Sequence, residues 1–145
     1  MLLLGLFELK LDDKNRIRLP AKFREQLGNK YVVTPFGGGC LAVYRQEDGQ
    51  KMLEEIVSKG LHNPDKNETI RQFASFSATA ESDSQGRFML PDLLVKYADL
   101  KKDIVIVGSI SKVEVWSAER WAERQQKVDS TIKGFDTLMN KIDEI

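Results

Sequence analysis

Two nine-residue segments carry the side chains best suited to chemistry: Asp12-Asp13-Lys14-Asn15-Arg16-Ile17-Arg18-Leu19-Pro20 and Asp83-Ser84-Gln85-Gly86-Arg87-Phe88-Met89-Leu90-Pro91. Each sets an aspartate four residues ahead of an arginine. A guanidinium fork can hold a phosphate, or bridge guanine O6 and N7 through two parallel hydrogen bonds. A carboxylate turned toward phosphate would be repelled, so Asp12 and Asp83 are expected to bind loop N–H groups or to hold the arginine in place. The same pairs also suit a plainer role, an ion pair that fixes a turn and reads nothing.

Lys14, Arg16 and Arg18 share one parity and are expected to project from one face of a hairpin. Lys10 falls on the same parity across the turn, and Lys22 and Arg24 follow closely. In the second segment Ser84 and Gln85 replace Asp13 and Lys14, and Met89 replaces Arg18. The first segment is therefore expected to be the main reader of a polyanion, with Arg87 structural or auxiliary.

A local patch is a requirement here, because Lys plus Arg and Asp plus Glu number 22 each. A neutral chain offers a polyanion no long-range attraction. Catalysis has little to work with. His62 and Cys40 are the only histidine and cysteine, and there is no P-loop, zinc-ligand spacing or Gly-x-Ser-x-Gly. Gly37-Gly38-Gly39 lacks the Lys-Ser or Lys-Thr of a phosphate cradle and is expected to be a turn. Cys40 is expected to pack as a small apolar residue, and no cofactor or metal is expected.

The elements that must position these residues come from a duplication. Asp83 follows Asp12 by 71 residues, and Arg, Leu and Pro recur at the same offset. The parallel extends to Tyr31-Val32-Val33 and Leu41 to Tyr44 in one copy, and to Ile104 to Val107 and Val113 to Trp116 in the other. Each copy thus reads strand, turn, strand, short helix, strand, turn, strand. Leu9 and Leu11 alternate with Lys10 and Asp12, as Ile17 and Leu19 do with Arg16 and Arg18, which predicts a hairpin with one buried face. Pro20 suits a first helical position, Phe23 and Leu27 share a helix face, and Gly28 sits where that helix should stop. Gly37 to Gly39 and Gly108-Ser109 are expected to reverse the second strand pairs.

Between the copies, Met52, Leu53, Ile56 and Val57 predict a helix over Glu47 to Lys59, broken by Gly60 to Asp65. Glu68 to Phe76 reads as a second short helix. The expected organisation is one module over 1–62, another over 63–117, and a helical extension over 118–145. In that extension Trp121, Val128, Phe135 and Ile142 are spaced by seven, with Ile132 and Met139 between them. Such a stripe packs on the chain's own sheet or forms a coiled coil, with Gly134 interrupting it. The apolar run Met1 to Phe7 meets Glu8 at once and is too short for a signal sequence or a membrane span, so a cytoplasmic protein is expected.

Both Asp-x-x-x-Arg motifs are followed by hydrophobic-x-Leu-Pro. Arg71 to Phe76 precedes the second motif, and Val113 to Trp116 leads into Glu119-Arg120-Trp121. Over nearly its whole length this pattern resembles the MraZ family, relatives of the AbrB-type swapped-hairpin DNA binders. The resemblance implies an α+β fold, mainly β with short helices, in which two hairpin modules of one chain interlock into a small barrel followed by a C-terminal helix. It further implies ring-shaped homo-oligomers whose motif loops face double-stranded DNA. Family members are nucleoid-associated transcriptional regulators, usually repressors, which bind direct repeats upstream of the division and cell-wall gene cluster that contains their own gene. Mapped onto this chain, the implied DNA contacts are Lys14, Arg16, Arg18 and Arg87, supported by Asp12, Asn15, Asp83 and Gly86. The family commonly has Gly before the motif Arg, as Gly86 is here; Asn15 stands at that place in the first copy and tolerates a left-handed backbone. A rival reading is a protein-binding module that docks a partner such as a methyltransferase from the same operon.

Overall fold

In the computed structural model, which describes residues 1–60 and 62–145, the chain is α+β, with more residues in helices than in strands. Each copy opens with a longer strand and a short one: β1 (Leu3–Lys10) and β2 (Arg16–Arg18), then β5 (Ala78–Glu81) and β6 (Arg87–Met89). A short helix follows each, α1 (Ala21–Leu27) and α4 (Asp92–Tyr97). Two strands complete each copy, β3 (Lys30–Phe36) and β4 (Cys40–Arg45), then β7 (Asp103–Ile110) and β8 (Val113–Ser117). Helices α2 (Gln46–Gly60) and α3 (Pro64–Phe76) join the copies, and α5 (Ala118–Gln125) and α6 (Ile132–Asp143) end the chain.

The hairpin expected between β1 and β2 does not form. β1 pairs antiparallel with β7 from Leu3 opposite Ile110 to Lys10 opposite Asp103, and β2 pairs instead with β6. The eight backbone residues of β1 need a partner of equal length, which a three-residue strand is too short to supply. The copies are therefore interleaved. The large sheet runs β1-β7-β8-β4-β3-β5 and a separate two-stranded ribbon is β2-β6. The large sheet is open, with β1 and β5 on its edges, where the resemblance implied a small barrel.

One apolar cluster joins the ribbon to the sheet. Ile17 and Phe88 from the ribbon, Phe23 and Leu27 from α1, and Leu94 from α4 pack with Tyr31, Val43, Ile106 and Val115 from the strands. The Tyr31 and Phe88 rings lie 4.6 Å apart, and the Tyr31 hydroxyl donates to the Gly28 carbonyl at 2.7 Å. On the opposite face, Cys40, Val105 and Trp116 form a smaller cluster covered by Trp121 of α5. Burial pushes the Cys40 thiol up to about 12, so this cysteine packs and does not react.

Three further expectations change in the structure. Gly108-Ser109 belongs to β7 and not to a turn; the reversal falls at Ser111-Lys112, closed by the Ser109 N–H donating to the Lys112 carbonyl at 2.9 Å. Gly108 is needed for closeness, since a Cβ there would sit 2.6 Å from the backbone carbonyl carbon of Leu3. Second, α3 starts earlier than the apolar pattern suggests, because Asn63 caps it by accepting from the Asp65 and Lys66 N–H groups and Pro64 takes the first turn. Leu61, within the expected break of 60–65, lies outside the described residues.

Third, the C-terminal extension is two helices. Thr131 caps α6 by accepting from the Gly134 N–H, and its own N–H and hydroxyl are held by Asp129 at 2.9 and 2.5 Å. The apolar stripe of α6, Ile132, Phe135, Leu138, Met139 and Ile142, is exposed, so it does not pack on the chain's own sheet.

Candidate nucleic-acid interface

The two motif loops share one local design. In the first, Asp12 Oδ1 accepts from the Lys14 and Arg16 N–H groups at 2.9 and 2.8 Å, and Oδ2 accepts from Arg16 Nε at 2.7 Å. In the second, Asp83 accepts from the Gln85 and Arg87 N–H groups at 2.9 and 3.0 Å and from Arg87 Nε at 3.2 Å. The residue before each arginine is left-handed: Asn15 has φ 57° and Gly86 has φ 77°. That conformation, which Gly adopts freely and Asn tolerates, lets the N–H groups on either side of the left-handed residue converge on one carboxylate oxygen, while its own N–H donates to the aspartate's backbone carbonyl.

Desolvation is the largest single influence on the Asp12 carboxyl and raises it, but the Arg16 and Lys14 hydrogen bonds and the Arg16 charge together outweigh it. Its pKa falls below the ordinary value. For Asp83 the Arg87 backbone N–H leads, and the net direction is again downward. Both aspartates thus stay ionised and hold their arginines, as the sequence suggested.

The ribbon brings the two loops together. Its register sets Arg16 opposite Met89, Ile17 opposite Phe88 and Arg18 opposite Arg87. Because side chains alternate along a strand, burial of Ile17 and Phe88 leaves Arg16, Arg18, Arg87 and Met89 on the outer face. Three guanidinium groups from segments 71 residues apart therefore share one surface. Like charges directly across a ladder repel. Arg87 is balanced by Asp83 at 3.2 Å, whereas Arg18 has no ion-pair partner among the described residues. Such a charge is relieved by an anion arriving from solvent.

Arg16 and Arg87 are held differently. Asp12 engages only Nε of Arg16, and its two terminal nitrogens make no hydrogen bond among the described residues. Asp83 lies 3.2 Å from both Nε and Nη2 of Arg87, so more of that fork is occupied.

Lys14 sits in the tight loop, exposed, and not on a strand. Lys10 and Lys22 leave the expected patch. A continuous hairpin would keep Lys10 on that face, but β1 runs into the large sheet, where Lys10 Nζ donates to Asp103 Oδ1 at 2.5 Å. Lys22 lies 5.2 Å from the Phe7 ring centroid and 5.8 Å from that of Phe23.

Arg24 takes a part that the sequence did not signal. Its Nε donates to the Leu19 carbonyl at 3.0 Å, and a Cβ at Gly86 would fall 2.8 Å from its Nη1. Helix α1 of the first copy thus supports the loop of the second. Reciprocally, the Leu90 N–H donates to the Asn15 carbonyl at 2.8 Å, and Asn15 Nδ2 donates to Asp92 at 3.1 Å. The repeat itself was the available clue, since two like strands pair antiparallel about their central apolar residues.

Among the described residues no group of three His, Cys, Asp or Glu side chains could hold a metal ion. An open hollow of about 900 Å³ is lined by Tyr44, Arg45, Asp48 and Met52 and contains no motif residue. Among the described residues no helix is long and apolar enough to cross a membrane.

Comparison with known proteins yields a family model described as "MraZ protein, putative antitoxin-like", which matches residues 2–72 and 76–141. The chain belongs to this family. A protein of Clostridium beijerinckii named transcriptional regulator MraZ is 37% identical over 143 residues, covering 98% of this chain and 97% of that protein. One of Carboxydothermus hydrogenoformans with the same name is 40% identical over 118 residues, covering 81% and 82%. The MraZ resemblance drawn from the paired motifs is thereby confirmed over the full span of both repeats.

Proposed function

We propose that this chain is a sequence-specific DNA-binding transcriptional regulator, in its usual mode a repressor, and not an enzyme. The observation that carries this reading is the ribbon β2-β6, which gathers Arg16, Arg18 and Arg87 on one outer face, Arg18 exposed and the other two half-buried. A two-stranded ribbon fits the major groove, where base edges carry a distinct pattern of donors and acceptors. Lys14, Arg16, Arg18 and Arg87 make the DNA contacts, and Asp12, Asn15, Asp83 and Gly86 fix the loops that aim them. The close relatives named as transcriptional regulators support the same role.

The ribbon of one chain is a small basic face on a neutral protein, so a single copy binds weakly. Several copies in a ring, set along direct repeats spaced near one helical turn of about 10 bp, gain affinity through avidity. The target in this reading is the DNA upstream of the division and cell-wall gene cluster that contains the chain's own gene, and the place of action is the cytoplasm, at the nucleoid. Each assembling chain is one unit that carries a module over 1–62, a module over 63–117 and the extension over 118–145.

A second reading is favoured by the bare apolar stripe of α6. It makes the chain a docking module for a protein, such as a methyltransferase from the same operon. Titrating the protein against its upstream duplex and a scrambled duplex, at several salt concentrations, separates the two. Preference for the upstream duplex with affinity falling steeply in salt supports the regulator. Absence of binding to either duplex at low salt sinks it in favour of docking.

A further inference from the structure

The two repeats differ at the corners of the ribbon. The shared offset of 71 equates Arg16 with Arg87, and Arg18 with Met89. In the register, one end of the ribbon therefore carries Arg18 beside Arg87, and the other carries Arg16 beside Met89. The first end is doubly cationic and the second pairs one guanidinium with an unbranched thioether. Met89 is 59% exposed although its neighbours Phe88 and Leu90 are each 1% exposed, so it takes no part in the core.

An apolar side chain on a face that approaches DNA gains only if it meets hydrocarbon. The major groove offers one such group on its base edges, the C5 methyl of thymine. Methionine is well suited to it, because its flexible, polarisable chain adapts to a small apolar target. Resting on the DNA-binding reading above, we propose that Met89 is a specificity-determining residue that packs on a thymine C5 methyl, next to the base edge reached by Arg16. The ribbon then reads DNA with a direction: a thymine at the Arg16–Met89 end, and anionic or guanine contacts at the Arg18–Arg87 end.

Replacing thymines one at a time by deoxyuridine in the preferred upstream duplex tests this, since only the methyl is removed. For the full-length wild-type protein, one thymine within the bound site is expected to weaken binding by about three- to tenfold on replacement, the scale of one buried methyl group. Met89→Ala binds the thymine and uracil duplexes alike at that position, and Met89→Leu recovers discrimination. The salt slope of Met89→Ala equals that of wild type, because no charge is lost. The inference is overturned if every thymine can be replaced without loss, or if Met89→Ala keeps the wild-type ratio. Wild-type protein that prefers no duplex at all overturns the DNA-binding reading itself, and this inference with it.

Discussion

Ile17 of the first repeat lies directly opposite Phe88 of the second, and both side chains are buried. This pair is the hinge between core and interface, because its burial is what turns the flanking arginines outward on both strands. Stability and the proposed DNA-reading face are thus linked through two buried apolar residues.

Phe88→Ala removes the ring that packs on Tyr31 and leaves a cavity beneath the ribbon. A loss of about 3–5 kcal/mol in unfolding free energy is expected, readable as a lower urea midpoint. A change under 1 kcal/mol would mean that the ribbon is not anchored in the core.

Gly86→Ala places a Cβ at φ 77° and 2.8 Å from Arg24 Nη1. The strained backbone costs about 1–2 kcal/mol, and Arg24 must give way as well. Asn15→Gly, at the equivalent position, relieves the same backbone but gives up the 3.1 Å hydrogen bond to Asp92, so it is expected to be near neutral. The thermal unfolding temperature should fall for Gly86→Ala and shift little for Asn15→Gly.

Acid should undo the loops in a definite window. The folded pKa values of Asp12 and Asp83 lie below their ordinary value of 3.8, so their stabilising contribution is complete above that value. It is lost as pH falls through the folded values. Stability measured from neutral pH downward should therefore show no step from these groups until near 3.8, and the step should shrink in Asp12→Asn. An unchanged acid limb in that variant would separate Asp12 from the stability of the loop.

Much of this was legible in the sequence because it depends on local signals. The repeat, the aspartate holding its arginine, the stop of α1 at Gly28 and the helix expected over Glu47 to Lys59, which the structure extends by one residue at each end to include Gly60, all follow from spacing and turn chemistry. Strand partners were not legible. Alternation of Leu9 and Leu11 with Lys10 and Asp12 says that one face is buried, but not that the β1 ladder is completed by β7 from the other copy. For the same reason Lys10 was assigned to the arginine patch, when pairing carries it to Asp103. Gly108 illustrates the limit in another form, since a glycine needed for a close backbone approach looks identical in sequence to one needed for a turn. The stripe on α6 predicted an amphipathic helix correctly, but periodicity carries no information on what covers it.

The central claim is that one ribbon, built from both motifs, is the DNA-reading surface. Its most direct test is the affinity of the wild type, Arg16→Ala, Arg18→Ala, Arg87→Ala and Lys10→Ala for the upstream duplex across a range of salt. Loss of one bidentate base contact costs about 1–3 kcal/mol, or roughly five- to 150-fold. Arg16→Ala should fall in that range and exceed Arg87→Ala, Arg18→Ala should flatten the salt slope, and Lys10→Ala should match wild type. Arginine variants that bind as wild type does, or a Lys10→Ala that loses as much as Arg16→Ala, would contradict it.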